Sequence, residues 1–283
     1  MLITRILTAA VLLAVLLPAL FLAAAPVFNA LAIVFIAAAA WEWARLAGLP
    51  SLPALAMGAG CVAACVVSWQ AGWQEGLPLS FWIVAAVCWT LGGAWLLRGG
   101  VAGWQALPRT VRLVAGVALL WLAWLAVARA RVVGVNFLLS AMALVWVADI
   151  AAYFAGKTFG GRWFPRKLAP GISPGKTWEG ALGGLLGVLV LALAWRWADV
   201  HWSAEDASLY TRLLGAQPLW GWVALAWLSA MSVVGDLVES LVKRAAGAKD
   251  SSRLLPGHGG VLDRIDALLP TVPLAILLGG VWT

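Results

Sequence analysis

The sequence predicts an all-α integral membrane protein, a polytopic bundle of about nine transmembrane helices with its N-terminus in the cytoplasm. Three observations lead there. Of the 283 residues, 64% are hydrophobic and only 11% charged, whereas a water-soluble domain carries about 45–50% and about 25%. The apolar residues fall in runs of about 20, enough to cross a hydrocarbon core, without the alternation of barrel strands. Twenty Trp stand against two Tyr, and Trp favours the membrane–water interface.

The elements follow in order. Residues 6–25 come after Arg5 and outrun a signal-peptide core of about 7–15 residues, so they read as an uncleaved first helix. Pro26 opens the run 27–47, Pro50 and Pro53 the run 52–70, and Pro78 the run 78–97, because proline starts helices more readily than it continues them. Runs 111–128, 132–156 and 179–198 come next, then 218–242 behind Pro218, and finally 265–282. Cys61, Cys65 and Cys88 lie inside these runs, odd in number and without histidine at metal spacing, and read as buried thiols.

The net charge is +7, but the bases lie between apolar runs and form no basic stripe with interleaved aromatics. Nucleic acid is therefore not an expected partner. With the N-terminus inside, all but Arg129, Arg131, Arg196 and Arg212 of the 19 lysines and arginines fall on the cytoplasmic side. That split fits the positive-inside rule. Asp199, Glu205 and Asp206 fall in an outer connector.

No internal repeat points to a transporter of duplicated halves. Residues 1–130 read as transmembrane scaffold. Residues 131–283 read as the catalytic region, with cytoplasmic loops 157–178 and 243–264. Gly180, Gly183, Gly184 and Gly187 give small-residue spacings that suit close helix packing.

Three polar clusters stand in the second half. Asp149, Tyr153 and Lys157 are four apart and share a helix face. An acid at membrane depth faces an aqueous cavity or a partner. In "APGISPGKTWEG", Lys176 with Ser173 and Thr177 lies in a Gly/Pro turn before a helix. Pro170 stands where a Walker loop needs glycine and no strand precedes it, so the fold is not a P-loop. The turn still has the elements of an anion site. The third cluster puts Asp236, Glu239, Ser240 and Lys243 on one helix face. Asp263 and Asp266 follow at the start of the last run, where antiparallel helices can bring Asp236 and Asp263 together. Carboxylate oxygens beside phosphates suit Mg²⁺. Lys243, Arg244, Lys249, Arg253 and Arg264 can hold phosphate oxygens. The turn around His258 is glycine-rich and lets backbone amides approach a ligand. As a set these features point to metal-assisted phosphoryl or nucleotidyl transfer.

The stretch from Ser240 through Lys243-Arg244, Lys249-Asp250, Ser252, Leu255-Pro256, His258-Gly259-Gly260 and Asp263-Arg264 to Asp266 resembles the signature of the CTP:phosphatidate cytidylyltransferases, or CDP-diacylglycerol synthases. The segments "SPGKTWEG" and "GDLVES" also resemble that family, over about residues 145–270. The resemblance implies an enzyme of phospholipid biosynthesis that makes CDP-diacylglycerol and pyrophosphate from CTP and phosphatidic acid. It implies Asp236 and Asp263 on Mg²⁺, with a second cation such as K⁺, and Lys243 and Arg264 beside them as catalytic groups. Ser173, Lys176, Thr177, Arg244, Lys249, His258, Asp266 and Glu239 then bind or orient substrates. It further implies a homodimer in the bacterial inner membrane, with the site facing the cytoplasm and lipid tails arriving sideways between helices. A CTP-dependent polyprenol or phytol kinase, or an ion-coupled transporter, is the alternative.

Overall fold

The computed structural model describes residues 2–22 and 24–280. Its helices are α1 (Leu2–Phe21), α2 (Ala25–Leu46), α3 (Ser51–Gln70), α4 (Leu79–Val87), α5 (Gly93–Ala106), α6 (Arg109–Val133), α7 (Val135–Phe159), α8 (Trp178–His201), α9 (Leu209–Ala216), α10 (Pro218–Ala245), α11 (Leu262–Ile265) and α12 (Leu268–Ala275). A π-helical turn, Cys88–Gly92, joins α4 to α5, and a second, Ile276–Gly280, continues α12. Among the described residues there are no strands, only two isolated bridges, Ala169 with Ser173 and Leu255 with Gly259.

Prolines begin helices as the sequence predicts: Pro50 and Pro78 precede α3 and α4, and Pro218 opens α10; Pro108, which the sequence reading did not use, precedes α6 in the same way. Among the described residues seven helical stretches are long and apolar enough to cross a membrane: α2, α3, α4 with α5, α6, α7, α8 and α10. Two of the nine expected spans are not among them. Among the described residues, α1 contributes an apolar stretch at Ala10–Phe21 that is not by itself long enough to count as a crossing. The expected run 265–282 is broken into α11, α12 and a π turn, and its last two residues lie outside the described ones. The expected run 78–97 is met by α4, the π turn and the first part of α5, which kinks at Gly100 (φ +60°, ψ −161°) before continuing to Ala106.

Lipid tails are as apolar as leucine, so helix association here depends on close packing rather than on escape from water. The α7–α8 contact shows how. Gly180, Gly183, Gly184 and Gly187 on α8 lie against Ala148, Ala151, Ala152 and Ala155 on α7. A Cβ at Gly184 would stand 2.8 Å from the Ala148 carbonyl oxygen, and one at Gly183 would collide with the Ala155 methyl. Gly116 on α6 gives room in the same way to the buried Trp43 indole of α2.

Side-chain hydrogen bonds sort the helix ends into two faces. On one, the Thr8 hydroxyl donates to the Pro256 carbonyl (2.8 Å), the Trp43 indole to Arg112 (2.9 Å) and the Gln105 amide to Ala245 (2.9 Å), while Arg109 reaches the Gly48 carbonyl. On the other, Arg129 donates to the Glu75 carbonyl (2.5 Å), Arg212 to Gly279 (3.3 Å) and Asn136 to Asp206 (2.7 Å). The first face carries the loop between α10 and α11 and is where the expected site residues lie.

Candidate functional site

The end of α10 places its acids and lysine as the spacing predicts. The Lys243 ammonium lies 2.6 Å from a Glu239 carboxylate oxygen, one turn back, and 2.5 Å from Asp263 Oδ1. Asp263 stands on the four-residue helix α11 and is otherwise saturated. Its Oδ2 accepts hydrogen bonds from the Ser251 N–H (2.8 Å), the Ser251 hydroxyl (2.7 Å) and the Gly260 N–H (2.8 Å). Burial pushes the Asp263 carboxyl up. The Lys243 ammonium and the Gly260 and Ser251 donors outweigh that and take it down to about 2.

Asp236 has a different cation. Its Oδ2 lies 2.5 Å from the Lys176 ammonium, and its Oδ1 accepts from the Ser240 hydroxyl at 3.3 Å. The Lys176 segment thus meets α10 across 60 residues of chain. Asp149 lines the same cavity as Lys176 and Asp236. Among the described residues no group of three or more His, Cys, Asp or Glu side chains is set as a metal cage. The donor chemistry fits a hard cation nonetheless, since each of the two expected ligands already faces a positive charge. Asp236 is the more open of them, its side chain 26% exposed against 6% for Asp263.

Other expected residues shape the loops. Thr177 caps α8, its hydroxyl accepting from the Gly180 N–H at 3.0 Å. Ser173 sits in the turn closed by its bridge to Ala169. The Arg244 guanidinium donates to the carbonyls of Ile172 (3.3 Å) and Ala248 (3.0 Å), tying this turn to the end of α10. Arg264 grips the His258 carbonyl with Nε (3.0 Å) and Nη2 (2.6 Å), which holds the glycine turn against α11. Gly257 and Gly259 take φ of +76° and +82°, and a Cβ at Gly259 would also stand 2.7 Å from Asp263 Oδ2. His258 Nδ1 is buried with no hydrogen-bond partner among the described residues. Asp266 Oδ1 accepts from the Ala267 N–H at 2.7 Å. Lys249 is exposed on the loop.

Two cavities, each with charged residues in a largely apolar lining, share Asp149. One, of about 420 Å³, is lined by Tyr153, Lys157, Lys176, Thr177 and Asp236. It shares Leu168, Ala181, Ser229 and Val233 with an apolar groove of about 900 Å³ between α5, α8 and α10. The other, of about 470 Å³, has His258, Asp263, Arg264 and Asp266 at one end, and apolar walls from α1, α2, α6, α7 and α12. Asp236 and Asp263 therefore line neighbouring cavities rather than one.

The sequence reading passed over Glu42. It lies in α2, in the half read as scaffold, and is fully buried. Its Oε1 accepts from the Ser252 hydroxyl (2.5 Å) and the Val261 N–H (2.9 Å), and its Oε2 from the Leu262 N–H (2.6 Å), with the Ser251 hydroxyl 3.2 Å away and shared with Asp263. The available signal was an acid inside the apolar run "AAAAWEWARL", where an unpaired carboxylate is costly.

The chain matches the cytidylyltransferase family over residues 3–282. A phosphatidate cytidylyltransferase of Pseudomonas aeruginosa is 40% identical over 98% of this chain and 97% of its own length. A Haemophilus influenzae protein of the same name is 49% identical over 141 residues, 50% of this chain and 44% of that one. One from Staphylococcus aureus is 40% identical over 145 residues, covering 51% and 49%. A match running from the first helix to the last, with a relative aligned end to end, places this chain in the cytidylyltransferase family.

Proposed function

We propose that the protein makes CDP-diacylglycerol and pyrophosphate from CTP and phosphatidic acid. The observation that carries this reading is the meeting of two cavities at Asp149, each lined by acids and bases as well as by apolar helix walls. A reaction between a nucleoside triphosphate and a membrane lipid needs a site of this shape. The family match and the near full-length relative support the same reaction.

In the reaction an oxygen of the lipid phosphate attacks the α-phosphorus of CTP. The bond from that phosphorus to the β-phosphate bridging oxygen breaks, and pyrophosphate leaves with the electron pair. A phosphate monoester is anionic near pH 7, so the residues need not supply a strong base. The barrier is repulsion between two anions and their alignment. Lys176, Lys243, Arg244, Lys249 and Arg264 supply positive charge around the acids. Ser173 and Thr177 offer hydroxyls beside Lys176, and His258, Glu239 and Asp266 orient these groups. Asp236 and Asp263, each now compensated by a lysine ammonium at 2.5 Å, would hold Mg²⁺ and a second cation such as K⁺. Bound there, the metal supplies further charge neutralisation for the two substrates.

The apolar clefts support sideways delivery of the diacyl chains from the bilayer. The proposed topology has the N-terminus and both basic loops in the cytoplasm, with α1 and the α11–α12 segment completing nine passes. The Thr8–Pro256 hydrogen bond supports it, because it puts the beginning of α1 on the face of the α10–α11 loop. An inner-membrane site open to cytoplasmic CTP, and a homodimer, belong to the same reading.

The test is turnover by purified protein in mixed micelles containing phosphatidic acid, CTP and Mg²⁺. CDP-lipid and pyrophosphate should appear in equal amounts, and EDTA should stop both. Substrate flux in liposomes without CTP turnover would instead establish a transporter.

A further inference from the structure

We infer that Glu42 is a positioning residue for the reacting site, holding Asp263 and Lys243 in register from the opposite half of the chain. This rests on the proposed cytidylyl transfer. Three donors are committed to its carboxylate, the Ser252 hydroxyl before the glycine turn and the Val261 and Leu262 N–H groups after it, and the single proton of the Ser251 hydroxyl is shared between it and Asp263. The side chain is wholly buried, so the loop that closes on it is fixed at both ends by one residue of α2. The Ser251 hydroxyl lies within reach of both carboxylates, 3.2 Å from Glu42 Oε2 and 2.7 Å from Asp263 Oδ2. Asp263 in turn holds the Lys243 ammonium, which also touches Glu239. A continuous polar chain thus runs from α2 through the loop to α10.

Gly260 shows how closely the junction is built. A Cβ there would collide with the Ser251 hydroxyl and with Glu42 Oε1. The glycine is needed for space, so that its N–H can reach Asp263 while the Glu42 carboxylate passes beside it.

A carboxylate with two acceptor oxygens is the group that backbone N–H donors on both of its sides require. In Glu42→Gln one end of the side chain becomes an NH₂, which must face a backbone N–H, that of Val261 or of Leu262, whichever way the amide turns. The loop then shifts and takes Asp263 and Lys243 with it. Residues that orient metal or substrate ligands typically cost 10- to 100-fold when changed, and we expect kcat to fall by roughly that factor. The KM for CTP should change little, because Glu42 lies behind the site.

The experiment compares wild type, Glu42→Gln, Glu42→Asp and Ser251→Ala, each purified full-length and assayed well below its own unfolding midpoint, with folded fraction measured alongside. Glu42→Asp keeps the charge and should recover part of the lost kcat. Ser251→Ala removes only the bridging hydroxyl and should lower kcat less than Glu42→Gln. Normal turnover per folded molecule in Glu42→Gln would overturn the inference. Should that variant fail to fold, Ser251→Ala decides: reduced kcat with unchanged KM supports the inference, and unchanged kcat overturns it. A wild-type protein that makes no CDP-lipid would instead refute the reaction itself.

Discussion

Lys176 and Asp263 are opposed at the site in how their charges are held. Lys176 faces the more open carboxylate, with its own side chain 24% exposed, and can turn toward an incoming phosphate. Lys176→Ala should lower kcat/KM for CTP by roughly 10- to 100-fold, since hydrogen bonds to charged groups are worth about 1.5–3 kcal/mol. Steady-state kinetics on inserted protein checks this, and unchanged constants would make Lys176 an interfacial anchor. Asp263 is held by four donor contacts that serve both of its oxygens. Asp263→Asn keeps the shape but puts an NH₂ either against Lys243 or against Ser251 and Gly260, and turnover should be lost while the protein still inserts. The pH dependence follows from its depressed carboxyl at about 2. A group lowered on folding adds stability that is complete above its unfolded value, near 4, and is lost as pH falls toward the folded one. Thermal unfolding midpoints should therefore owe no slope to Asp263 between pH 5 and 8 and should drop in stronger acid. A kcat/KM titration in the neutral range must come from another group.

At the scale of elements, the α7–α8 contact ties packing to the site. Its glycine face lets α8 approach α7 until Thr177, at the start of α8, lies against Gly156 and Gly160 at the end of α7. That approach sets the wall of the cavity holding Lys157, Lys176 and Asp236. Gly184→Leu should force the helices apart, cost about 1–3 kcal/mol as overpacking does, and weaken activity along with the unfolding midpoint. Retained midpoint and activity would show that α8 can move without cost. These helices were legible because apolar length, proline starts and glycine spacing are local properties of the chain. The polar face of α10 was legible for the same reason, through its three- and four-residue spacing. The breaks were less so: the π turn at Cys88–Gly92 lies inside a run long enough to read as one span, with only Thr90 and the Gly92-Gly93 pair as local marks. Glu42 was hidden for another reason. Its four partners lie more than 200 residues away, so no spacing rule links them.

Across the whole molecule, two faces of opposite character emerge. One carries the basic loops, the acids and the glycine turn. The other carries the Asn136–Asp199–Thr211 network, with Asn136 and Thr211 donating to the Asp199 carboxylate at 2.9 and 2.6 Å. The proposed topology puts the first face in the cytoplasm. In a cysteine-free background, Arg253→Cys should react with an impermeant thiol reagent only from the cytoplasmic side, and Glu205→Cys only from the other. The same orientation lets CTP arrive from water while the lipid stays in the bilayer, and the reaction depends on that meeting. Its most direct measurement uses CTP with distinguishable labels on its α- and γ-phosphorus, incubated with purified protein, Mg²⁺ and phosphatidic acid. The account predicts the α label in the lipid and the γ label in free pyrophosphate. The γ label in a lipid product, with CDP released, would contradict it and make the protein a kinase.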